Sequence, residues 1–123
     1  MLDTHALVLA DREGIIRVWS PGAEALFGYD AADAVGRTLD LIVPEAYRER
    51  HWAGFRSAIA RARTNLDQPA ANLPVLRRDG AMVRFAGRLV LLRDARGEAI
   101  GVLAIYSPNE GDTEGDPRLP NLA

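Results

Sequence analysis

The chain has 123 residues, 48% of them hydrophobic and 26% charged, a balance that suits one soluble domain with one core. A net charge of -2, with all fifteen basic positions arginine and scattered among seventeen acids, gives no field to recruit nucleic acid or an anionic membrane. With no cysteine there is no disulfide, thiolate metal site or cysteine nucleophile. The first fourteen residues, MLDTHALVLADREG, carry no basic leader and too short an apolar run for a signal peptide or membrane span, so a cytoplasmic location is expected.

Along the chain, the turn signal DREG at 11–14 separates two β-rich runs, 6–10 and 15–19, and predicts a hairpin. Ser20 then offers a cap, with Pro21 at the first helical position, for a short helix ending at Gly28. Asp30 and Thr38 can cap further short helical segments. After Pro44 comes the longest helical stretch, about 45–63, which contains no proline and has Gly54 as its one weak helix former. RRDG at 77–80 predicts a second hairpin joining roughly 71–76 to 81–92, and RDARGE at 93–98 leads into a last strand at 99–106. From Ser107 the text turns rich in Gly, Pro and acid, with no apolar period, which predicts a disordered tail over 107–123.

Two strands, several helices and three strands imply an α+β fold, a five-stranded antiparallel sheet with helices packed on one face. Helices facing a curved sheet leave a central cavity, a usual ligand site. On the long helix, Tyr47, His51, Trp52, Phe55, Ala58, Ile59 and Ala62 fall within an arc of roughly 140° at helical pitch, while Glu49, Arg50, Arg56, Ser57 and Arg61 fall opposite. His51 therefore lies in the apolar stripe, where a neutral imidazole needs partners for both ring nitrogens. A hydrogen-bonded core histidine satisfies that need as well as a metal ligand does. No paired carboxylates, Ser/His/Asp set, phosphate loop or metal-spaced histidines are present, so the chain reads as a non-enzyme.

The string WSPGAEALFGYDAADAVGRTLDLIVPEAYRERH resembles the first half of a PAS domain, and RRDG and RDARGEAIGVLAIY fit that family's later hairpins. The likeness covers about 4–106 and assigns 1–106 to a PAS sensor domain; Ser20 stands where asparagine is commoner, and no leading helix precedes the first strand. Within the family, Pro44-Glu45-Ala46-Tyr47-Arg48-Glu49-Arg50-His51 is similar to the helix start of FixL-type heme sensors. That resemblance implies heme b, with His51 as the proximal metal ligand and a diatomic gas or a redox change as the signal; a homodimer or a signalling partner protein is the expected partner, and the sequence does not identify the output. It also implies a pocket built from Tyr47, Phe55 and Ala58 on the helix, with Ala71, Phe85, Gly87 and Leu89 on the strands. The family's oxygen-bonding arginine falls on Ala71, a related sensor's sixth-ligand methionine on Pro69, and the propionate arginine on Ser57. By the family pattern Val83, Phe85, Gly87, Leu89 and Leu91 face the cavity, and Met82, Arg84, Ala86 and Arg88 face away. The rival readings are a cofactor-free dimerisation or interaction module and a PAS domain that binds another small metabolite.

Overall fold

Asp11 closes the first hairpin. Its Oδ1 accepts from the amides of Glu13 (2.9 Å) and Ile15 (3.1 Å), and Gly14 supplies the left-handed residue at φ +80°. Asp94 repeats the device before the last strand, accepting from Arg96 and Glu98 with Gly97 at φ +84°. Between them Gly80, at φ +88°, turns the middle hairpin. All three turns read from the sequence are present.

The computed structural model describes residues 2–64 and 71–108. The strands are β1 (Ala6–Asp11), β2 (Ile16–Trp19), β3 (Ala71–Leu76), β4 (Met82–Arg93) and β5 (Ala99–Tyr106). They form one antiparallel sheet in the order β2-β1-β5-β4-β3, so the two terminal segments of the fold pair at its centre. The helices α1 (Pro21–Phe27), α2 (Ala31–Ala34) and α3 (Arg48–Arg61) lie between β2 and β3 in the chain, as expected. A single 3-10 turn, Leu2–Thr4, precedes β1. The expected long helix from 45 splits in two: a 3-10 turn, Glu45–Tyr47, leads into α3, which ends where Ala62 turns left-handed at φ 55°. Most of the expected disordered tail, from 109 on, lies outside the described residues, as does Pro69.

Ser20 shows why α1 sits where it does. Its hydroxyl oxygen accepts from Ala23 N at the helix start and from Leu7 N (2.8 Å) in β1, and the hydroxyl donates to the His5 carbonyl. One side chain both caps α1 and fastens it to the sheet. Below it Phe27, fully buried, meets Trp19, Phe85 and Tyr106 edge-to-face at centroid distances of 5.6, 5.5 and 5.0 Å. This aromatic cluster fills the interior beneath α1.

Beneath α3 the packing is different. No residue of α3 is fully buried, although one face of the helix is apolar. The space between it and the sheet is a cavity of about 410 Å³.

Candidate ligand cavity

The sheet floor of the cavity follows from register. Val8, Ala104 and Leu89 stand side by side across β1, β5 and β4, and Ala10 and Val102 form the next row. Leu39, Ile42 and Val43 close one side and Leu73 another. From the α3 side come Tyr47, His51, Phe55 and Ala58, together with Ser57 and the arginines at 50 and 61.

The structure thus gathers five of the eight candidate site residues, Tyr47, His51, Phe55, Ala58 and Leu89, around one cavity. Phe85 and Gly87 lie outside its lining. Phe85 is only 2% exposed and belongs to the aromatic cluster under α1. Gly87 makes room for a neighbour in the protein itself: a Cβ there would lie 2.4 Å from Leu73 Cδ1 and 3.2 Å from the Ile105 carbonyl oxygen. Ala71 pairs with Gly87 on the edge strand.

Other lining residues were not legible as such. Tyr106 closes the inner end, and burial pushes its phenol well above the ordinary tyrosine value, so it stays neutral. The lining therefore includes a phenol. Arg84 is not in the lining but touches a residue that is: its Nη2 donates to the Tyr47 hydroxyl at 3.2 Å with the guanidinium over the ring. Arg50, Ser57 and Arg61, assigned to the solvated arc, line the cavity because α3 presents the border of its two arcs to the opening.

His51 is the singular group. Its ring packs edge-on against Trp52 (4.9 Å) and tilted against Phe55 (6.1 Å). Nδ1 is buried and has no hydrogen-bond partner among the described residues. Burial pushes the imidazole below its ordinary value, and the nearby Asp40 carboxylate opposes that shift without cancelling it, so His51 is held neutral. A neutral imidazole is the form that binds a metal. The described residues contain no cluster of three or more His, Asp or Glu able to hold an ion unaided. A group that brings its own equatorial ligands fits one histidine in an apolar chamber; a bare ion does not.

A five-stranded antiparallel sheet with short helices across one face, enclosing a chamber under the longest helix, is the architecture of small sensory modules. Residues 4–108 match the PAS fold family, and the chain belongs to it. Over 62 residues, half of this chain, it is 39% identical to the sensor protein FixL of Bradyrhizobium diazoefficiens. The chain spans only 12% of the length of the curated relatives it matches. Among solved structures, a PAS domain from Colwellia psychrerythraea superposes with a TM-score of 0.73 at 22% identity, covering 88% of this chain and 90% of that one. A light-oxygen-voltage domain studied with a flavin analogue superposes with a TM-score of 0.66 at 21% identity, covering 86% and 78%. At such identities these structures share the fold. No helix among the described residues is long and apolar enough to cross a membrane.

Proposed function

We propose that this PAS domain is a sensor that binds heme b in the cavity under α3, with His51 as the iron ligand. The observation that carries the reading is the largely buried, neutral imidazole of His51 in the lining of an apolar chamber. Identity of 39% to the FixL sensor protein over half of this chain supports the same reading. Heme, when bound, would supply an iron able to take a diatomic gas or to change oxidation state. The protein's residues hold the imidazole neutral, exclude water with Leu89, Val102 and Ala104, and place the Tyr106 phenol in the same chamber. With no cysteine, the chain has no thiol to hold a flavin covalently.

Titration with hemin tests this. A one-to-one Soret band is expected for the wild-type chain and its loss or marked shift in His51→Ala, with unchanged far-UV circular dichroism. Absence of a defined band in the wild type, or the same spectrum in the variant, overturns it.

A second reading, a PAS module that acts by pairing with a second copy, has its own observation. On the sheet face away from the helices, Val18, Leu9, Leu103 and Val90 align in register across four strands. Val18 is 48% exposed, and Ile100 on the same sheet is 47% exposed. Sedimentation of Leu103→Glu tests it: a wild-type dimer should become monomeric, whereas a wild-type monomer excludes pairing through this face.

A further inference from the structure

The cavity's charges are of one sign. Arg50, Arg61 and Arg63 belong to its lining, all three exposed, and no Asp or Glu does among the described residues. Arg50, Gly54, Ser57 and Arg61 follow one another at intervals of four, three and four residues, so they share one narrow stripe of α3 running along the opening. Arg50 and Arg61 are about 16 Å apart along the helix axis, so they mark opposite ends of the mouth. The charge is concentrated at the far end. There Arg93, from the end of β4, donates from Nε (2.9 Å) and Nη2 to the carbonyl of Ala62. That carbonyl lies between Arg61 and Arg63 in the chain. Three guanidinium-bearing residues thus converge on the C-terminal turn of α3, two of them lining the chamber.

Helix C-terminal carbonyls account for cations in a last turn, since the helix dipole favours them there. They do not account for the absence of any acid among the described lining residues, nor for an apolar chamber immediately behind the cations. Like charges gathered beside a low-dielectric space repel, and an anion between them removes that repulsion. Guanidinium forks match carboxylates in particular, through paired charge-assisted hydrogen bonds.

We infer that the cavity takes an amphipathic carboxylate, its apolar body under α3 and its acid group held at the mouth by Arg61 and Arg63. The inference deepens the reading of this cavity and does not need iron: a heme carries carboxylates, and so does a simple organic acid with an aliphatic tail. Arg50, at the other end, adds to the attracting field without touching the same group.

Calorimetric titration of the full chain with dodecanoate and with dodecanol, then with hemin and hemin dimethyl ester, tests the inference and separates the two sources. The expected result is that at least one acid binds about ten-fold or more tightly than its neutral counterpart, in line with a charge-assisted pair. That preference should disappear in Arg61→Gln/Arg63→Gln, persist in His51→Ala for dodecanoate, and shrink at high salt. Both changed arginines are exposed, so the double variant should melt where the wild type does. Dodecanoate selectivity without hemin binding keeps the carboxylate site and removes heme. Equal binding of hemin and its ester keeps heme and removes the carboxylate site, provided dodecanoate also shows no preference. Failure of both acids to bind, or a preference untouched in the double variant, overturns the inference.

Discussion

The indole Nε1 of Trp52 donates to Oδ1 of Asp40 at 2.7 Å, and the same carboxylate is the charge that acts on His51. One acid thus fixes the N-terminal half of α3 and tunes the residue at the centre of the cavity wall. The indole also packs so closely on Gly14 that a Cβ there would come within 2.3 Å of the ring, so α3 is seated against the β1–β2 turn as well.

Asp40→Asn keeps an acceptor for the indole but removes the charge. Burial, the larger influence on His51, is then unopposed, and the imidazole should titrate lower still. The shift is read from the His51 ring protons across a pH series. An unmoved or raised titration shows that Asp40 does not act on His51.

The same group sets a pH dependence of stability. His51 is neutral when folded, and its folded value lies below that of the unfolded chain, about 6.5. The unfolded state therefore binds the extra proton first as pH falls. Stability is full above about pH 6.5 and declines below it, until the folded value is passed. The ligand-free wild type should have a lower denaturation midpoint at pH 5.5 than at pH 7.5, and His51→Phe should flatten that difference. A midpoint that rises on acidification contradicts the sign.

Two buried glycines should respond unequally to a methyl group. At Gly22 a Cβ would lie 2.0 Å from the His5 carbonyl oxygen, which is backbone and cannot yield without moving α1 off β1. At Gly87 the main obstacle is the end of the Leu73 side chain, which can rotate into the neighbouring chamber. Gly87→Ala should cost about 1–3 kcal/mol, typical of overpacking, and Gly22→Ala more than that. Urea midpoints of the two variants rank them, and the reverse order counts against the packing described.

Ala62 is the one non-glycine residue at positive φ among the described residues, and it ends α3. Glycine is at ease there, so Ala62→Gly should stabilise the protein by roughly 0.5–1 kcal/mol. A loss of stability in chemical denaturation would indicate that the left-handed cap is not the native conformation.

Much of the fold could be read from the chain because its punctuation is local. DREG, RRDG and RDARGE each contain the Asp and Gly that a tight turn needs, and β5 runs over the expected 99–106. The cavity was legible where one helix face defines it: Tyr47, His51, Phe55 and Ala58 follow from helical pitch. It was less so on the strands. Alternation puts Phe85, Gly87 and Leu89 on one face, but only the partner across the interior decides their use. Phe27 claims Phe85, Leu73 claims the space at Gly87, and Leu89 alone of the three borders the cavity. Arg84 and Tyr106 depend on contacts across many residues of sequence, which periodicity does not encode.

α3 rests on its two ends. At the first, Arg48 reaches the carbonyls of Val43 (3.1 Å) and Asp40 (3.3 Å), beside the Trp52 bond; at the second, Arg93 holds Ala62. Between these supports the helix spans a chamber, with no fully buried side chain to pin its middle. It is a beam rather than a wall. A ligand that displaced α3 would act first on these two supports. One support is the segment from the 3-10 turn Leu39–Leu41 to Val43. The other is Arg93, at the foot of the β4–β5 hairpin, whose strand β5 lies at the middle of the sheet. The second support thus stands beside the central strand, where Arg93 is the register partner of Ala99.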